Sequence, residues 1–110
     1  MALMVKERRL RLRRDELYRF DEPWSRRAES GRWLDFVLHV KWSNDSRLGF
    51  SELWFNGRPQ TFSNGRRRLH NATIERDQTY VEVIPTNYRE RGAFSGTLTI
   101  YHDAIKVGLT

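Results

Sequence analysis

Cysteine is absent from this chain. No disulfide can staple it and no thiolate can hold a metal, and the redox compartment stays open. The three histidines lack zinc-ligand spacing, which argues against a transition-metal site. No apolar run approaches the ~20 residues of a membrane-spanning helix. The opening MALMVKERRLRLRR does not read as a signal peptide, because its apolar stretch is short and arginines follow at once. Acidic residues are the minority: fourteen Asp and Glu stand against twenty Lys and Arg, a net charge of +6. That balance favours polyanionic partners without choosing among them.

What is present is a high aromatic share, 13% of 110 residues, which argues against disorder despite the low hydropathy. The length fits one domain, residues 1–110, with one modest core. The dominant period is two. Between Trp33 and Trp42, Phe36, Leu38, Val40 and Trp42 fall on one face and Asp35, Val37, His39 and Lys41 on the other, which predicts a strand. Turn formers follow in SNDSRLG. Phe50 to Phe55 alternates again, with large groups on both faces, so the pattern alone leaves open which face is inward. Asn56-Gly57 predicts a hairpin turn with positive φ at both positions, and Pro59 makes the returning strand short or peripheral.

Further strands are predicted over 79–84, 95–102 and 104–109. In the arginine-rich start, Leu10 and Leu12 alternate with Arg as in a strand, whereas Leu3, Leu10 and Leu17 at sevenfold spacing suit a helix; the strand is the reading taken. Short strands with polar turns and no strong helix signal predict an all-β, antiparallel β-sandwich, with the two Trp- and Phe-rich runs paired at its centre.

The segment GRWLDFVLHVKWSNDSRLGFSELWFNGRPQ resembles polysaccharide lyases of the glucuronan lyase and heparin lyase I type, as does the closing SGTLTIYHDAIKVG. TYVEVIPTNYR stands where that family carries a Tyr-x-Lys-x-Gly-x-Tyr-Arg segment. The resemblance runs from Trp33 to Gly108 and implies a concanavalin-A-like jelly-roll fragment, the C-terminal portion of a longer lyase fold. The segment departs from the pattern in three ways: Glu82 replaces the lysine, Ile84 replaces the glycine, and Tyr88-Arg89 comes two residues late.

The resemblance implies β-elimination on a uronic-acid polysaccharide, in doubtful strength. The C5 proton is removed after its neighbouring carboxylate is neutralised, and an acid protonates the departing oxygen at C4. Tyr88 is the candidate proton-transfer residue and Arg89 the group that binds the carboxylate or lowers the tyrosine pKa. Tyr80 is a candidate for stacking on a sugar ring. Glu82 occupies a substrate position with a charge that repels a polyanion. His39 is a candidate contact from the His-Val-Lys-Trp-Ser segment, and Arg67, in the arginine run NGRRRLHN, is a candidate for gripping acidic groups. Each has a plainer reading as a rim, core or solvated-loop residue.

No cofactor is expected; calcium is the one ion admitted, through the His102-Asp103 carboxylate, and one oxygen ligand does not make a site. The expected partner is an acidic polysaccharide, with neither specific nucleic acid nor membrane. Pairing with a second copy through an exposed sheet face is a further expectation. The family resemblance suggests a secreted protein, and no signal peptide stands in this chain. The alternative function is a non-catalytic, laminin-G- or lectin-like glycan-binding module. A third, nucleic-acid binding, rests on charge alone and lacks any recognised motif.

Overall fold

The computed structural model describes residues 1–16, 19–85, 99 and 101–108. The chain forms two compact units, Met1–Asp77 and Gln78–Thr110.

The first unit is all-β and antiparallel. Strands β1 (Ala2–Lys6), β2 (Arg9–Glu16) and β3 (Arg19–Arg27) form one sheet in that order. Strands β4 (Phe36–Lys41), β5 (Phe50–Phe55), β6 (Arg58–Pro59) and β7 (Leu69–His70) form the other. In this second sheet β5 is central: β4 lies along one edge, and β6 and β7 pair with its two ends. The arginine-rich start is therefore strand, as its two-residue alternation predicts. β3 and β7 were not foreseen. The pair predicted to be central is only half so, because β4 has β5 as its one neighbour among the described residues.

The register of β4 against β5 decides which residues are inward. Phe36 faces Phe55, Leu38 faces Leu53 and Val40 faces Ser51, so these side chains share the inner face. On β5 the inner residues Ser51, Leu53 and Phe55 are buried while Phe50, Glu52 and Trp54 are half-buried. In β2, Leu10 and Leu12 point to the same interior, and Leu12 lies opposite Trp24 of β3. The core joins the two sheets through Leu10, Leu12 and Trp24 on one side and Leu53, Phe55, Phe62 and Leu69 on the other. The rings of Trp24 and Phe55 meet with centroids 6.0 Å apart, and the Trp24 indole N–H donates to Gln60 Oε1 at 3.2 Å. Each buried Leu or Phe contributes about 1.5–3 kcal/mol relative to its exposure, so these few contacts hold the sandwich together.

Turns and a bulge set the strand paths. Asn56 and Gly57 have φ of 49° and 77° and join Phe55 to Arg58, the predicted hairpin. Between β2 and β3 the register shifts: Arg13 alone stands against Glu22 and Pro23. Proline lacks an N–H for the ladder, so a bulge accommodates it. The Pro23 carbonyl accepts the Ser63 N–H, in the connection between β6 and β7, at 2.8 Å.

The turn from Ser43 to Gly49 is built around Asp45. Its backbone carbonyl accepts the N–H groups of Leu48 and Gly49 at 3.0 and 2.9 Å. Its carboxylate takes the Arg47 N–H at 2.8 Å and two guanidinium contacts, at 3.1 and 2.8 Å. The Arg47 side chain, and next its backbone N–H, hold the Asp45 carboxyl down at about 2. Residues 71–74 close over this turn: Thr73 Oγ1 accepts the Ser43 N–H at 2.8 Å and donates to the Lys41 carbonyl at 2.7 Å. Gly49 is buried, and a Cβ there would run into the Asn71 carbonyl oxygen.

In the second unit, the strands predicted over 79–84 and 104–109 are corrected. The described residues 78–85 and 101–108 carry no strand. Alternation records only a preference for extended backbone; a strand also needs a neighbour to bond, and none pairs with these segments among the described residues. Most of 95–102 lies outside the described residues.

Gly49→Ala is expected to destabilise the first unit by about 1–3 kcal/mol, read from urea denaturation, because backbone rather than a flexible side chain blocks the new methyl. Asp45 has a lowered folded pKa, so its contribution is complete above its ordinary value of 3.8 and is lost as pH falls towards about 2. Asp45→Asn should flatten the pH dependence of stability in that window, and an unchanged acid-denaturation profile contradicts the assignment.

Candidate functional site

The outer face of the second sheet collects the side chains that the inner face rejects. Directly opposed residues in an antiparallel pair share a face, so His39 stands beside Glu52, Lys41 beside Phe50, Val37 beside Trp54, and His70 beside Phe50. β7 thus brings part of the arginine run against β5.

Glu52 is the centre of this face. Its Oε1 accepts from Arg68 Nε at 3.0 Å and Nη2 at 2.7 Å, while His39 Nδ1 lies 3.7 Å away. The Arg68 guanidinium also sits 3.9 Å above the Phe50 ring centroid. The His39 and His70 rings meet Phe50 nearly edge-on, at 5.3 and 6.0 Å. One phenyl ring therefore organises two imidazoles and a guanidinium, and the carboxylate beside it is neutralised by Arg68.

Next to this group lies an open cleft of about 180 Å³ lined by Glu52, Leu53, Trp54, Pro59, Gln60 and Arg67. The Gln60 amide is held on both ends, accepting from Trp24 at 3.2 Å and donating to the Arg58 carbonyl at 2.8 Å. Arg67 is exposed and has no carboxylate within ion-pair distance among the described residues. The cleft thus combines an indole, a fixed amide and an available guanidinium, groups suited to a polar, ring-shaped ligand bearing negative charge.

The predicted site residues divide between the two units. His39 and Arg67 belong to the first and lie on the sheet face and in the cleft. Tyr80 and Glu82 belong to the second and are exposed; the Tyr80 carbonyl accepts from the Gln78 amide at 2.8 Å. Tyr88 and Arg89 lie outside the described residues. Asp103 is exposed, its Oδ1 accepting the Ala104 N–H at 2.7 Å. Among the described residues no three His, Cys, Asp or Glu side chains gather where they could hold a metal ion.

Phe50, Glu52, Trp54 and Arg68 were missed. The signal was the alternation of Phe50 to Phe55, which assigns three of them to one face once the inward side is known. The small Ser51 opposite Val40 marks that side.

A family described as polysaccharide lyase matches residues 1–106, a span that takes in β1 to β3 as well as residues 33–106 of the segment that carried the resemblance. Comparison with curated proteins and with solved structures found no match.

The Glu52–Arg68 contact should have a measurable coupling. A double-mutant cycle with Glu52→Gln and Arg68→Gln is expected to give about 0.5–1 kcal/mol, since the pair is half-exposed but braced by the Phe50 ring. A coupling near zero shows that the pair does not order this face.

Proposed function

Because the chain belongs to the polysaccharide lyase family, we propose that it binds an acidic polysaccharide of the uronic-acid class on the outer face of the second sheet and acts on it by β-elimination. The observation that carries this reading is the cleft beside Glu52. It offers Trp54 as a platform for a sugar ring and Arg67 as a bidentate partner for a carboxylate or sulfate. Glu52 stands within a polyanion site, yet its charge is offset by Arg68. The polymer therefore meets a cationic surface around a neutralised carboxylate.

β-Elimination places three demands on such a site. A cation neutralises the uronate carboxylate, which makes the C5 proton removable. A base takes that proton as the C5–H electron pair forms the C4=C5 double bond. The C4–O bond breaks, and an acid protonates the departing oxygen. Arg67 meets the first demand and His39 contacts the chain beside it. By the resemblance alone, Tyr88 is assigned the proton transfers and Arg89 the binding of a uronate carboxylate or the lowering of the phenol pKa. By the same resemblance Tyr80 is assigned to stacking on a sugar ring. The fold this implies is a concanavalin-A-like jelly-roll fragment of the glucuronan lyase and heparin lyase I type.

A second reading, a glycan-binding module without chemistry, is favoured by Glu82, which stands where the resembled family carries a lysine and so argues against full activity. One assay separates the two. The chain is mixed with glucuronan, alginate and heparin while the ultraviolet absorbance of the unsaturated uronate is followed, and retention on a heparin gel is measured in parallel. Elimination is expected to appear on one of these polymers and to be abolished by Tyr88→Phe with retention unchanged. Trp54→Ala and Arg67→Gln should each weaken retention about tenfold, equivalent to ~1.4 kcal/mol. Retention without absorbance change selects the binding module; neither signal sinks both readings.

A further inference from the structure

The first sheet has an outer face of its own, on the other side of the core from the Glu52 cleft. With Leu10 and Leu12 inward, Arg9 and Arg11 of β2 point outward. Two arginines of this strand are neutralised by acids of β3: Arg14 makes a bidentate pair with Asp21 at 2.9 and 2.5 Å, and Arg11 meets Glu22 at 2.6 Å and Glu7 at 3.1 Å. At Arg9 the pattern inverts. Its direct neighbours are Lys6 on β1 and Arg27 on β3, so three cations stand in one row across three strands. All three are exposed, and none has a carboxylate within ion-pair distance among the described residues. Among the described residues the Arg9 guanidinium donates only to the Ser25 hydroxyl, at 3.0 Å. Like charges directly opposed in a ladder are destabilising, and opposite charges are the usual remedy, as elsewhere in this same sheet.

A second feature at the same place points the same way. The β1–β2 hairpin turns through Glu7 and Arg8, with φ of 53° and 60°. Such a turn takes Asn-Gly or Asp-Gly almost by default, as the other two-residue hairpin at Asn56-Gly57 does. Arg8 holds a left-handed conformation that glycine would adopt without strain and adds, beside the row, a fourth cation with no carboxylate within ion-pair distance among the described residues. The Glu7 carboxylate, the one acid in the turn, is turned onto Arg11.

We infer that Lys6, Arg8, Arg9 and Arg27 form a second polyanion-binding surface, which holds the carboxylate or sulfate groups of a linear acidic polysaccharide away from the Glu52 cleft. The row spans about 10 Å across neighbouring strands, so it meets anionic groups spaced along an extended polymer rather than a single ion. The polymer's identity rests on the proposed function; the surface itself rests on the unpaired row and the strained turn. A polysaccharide fits better than a single-stranded nucleic acid, which binds through open aromatic platforms as well as cations. Phe20, the exposed ring of β3, is already covered by the Arg13 guanidinium at 4.3 Å.

The test uses the full chain, with heparin, polyglucuronate and random-sequence duplex DNA as probes, read by affinity at matched salt and by salt elution. Arg8→Gly is expected to raise the melting temperature while lowering affinity for both polysaccharides. Arg9→Gln with Arg27→Gln should lower that affinity about tenfold and reduce its salt sensitivity. If these variants bind as the parent does while Trp54→Ala and Arg67→Gln weaken binding, the second surface is overturned and the Glu52 cleft stands. If they weaken binding and the cleft variants do not, the second surface stands and the cleft reading falls. Equal affinity for DNA, lost with the same substitutions, identifies unspecific charge and overturns the polysaccharide assignment.

Discussion

The inward facing of Ser51, Leu53 and Phe55 is the constraint on which the rest of this protein depends. Strand side chains alternate with a period of two, so burying these residues forces Phe50, Glu52 and Trp54 to the other face. The same register that seats Leu53 and Phe55 against Leu12 and Trp24 thereby places Trp54 at a cleft and Glu52 between His39 and Arg68. Core and site are two sides of one strand. A slip by one residue would empty the core and dismantle the site together.

Much of this was legible in the sequence, and for a local reason. The strand Phe50–Phe55, its turn at Asn56-Gly57 and its two-residue return are all decided within a few residues by alternation and by the φ demands of the turn. The strand identity of the arginine-rich start followed from the same alternation. What could not be read was set at longer range. The burial of Phe50 to Phe55 depended on which side met the first sheet, and both sides carry large groups. β7 is two residues long and exists because Leu69 reaches the core opposite Ser51, a contact that a run of arginines conceals. β3 carries Pro23, which argues against a strand until the bulge opposite Arg13 is known. The segment 79–84 erred in the other direction, having the pattern of a strand and no strand partner among the described residues.

The candidate site was legible to a smaller degree, because a site is a meeting of distant residues. His39 and Arg67 were singled out from a motif and a charge run, and they reach one sheet through β5. The residues that connect them, Glu52 and Trp54, look from sequence like ordinary members of an alternating strand. Their part is set by the neighbours β4 and β7 supply. The family match covers residues 1–106 and so spans both sheets, which agrees with a core to which each sheet contributes.

Charge is distributed by the same logic. An antiparallel ladder with arginine at every second position on one strand invites acids on its neighbours, and β3 provides them at Asp21 and Glu22. These pairs are exposed or half-exposed, so their net worth is modest. Their consequence lies in what they leave over. Once Arg11 and Arg14 are satisfied within the sheet, Lys6, Arg8, Arg9 and Arg27 are left together at the hairpin end with no carboxylate within ion-pair distance among the described residues. In the second sheet Glu52 satisfies Arg68 and leaves Arg67 over. Both sheets thus use their acids to brace one guanidinium and expose another. Part of the arginine excess read from composition is thereby left uncompensated on each of the two layers of one small core.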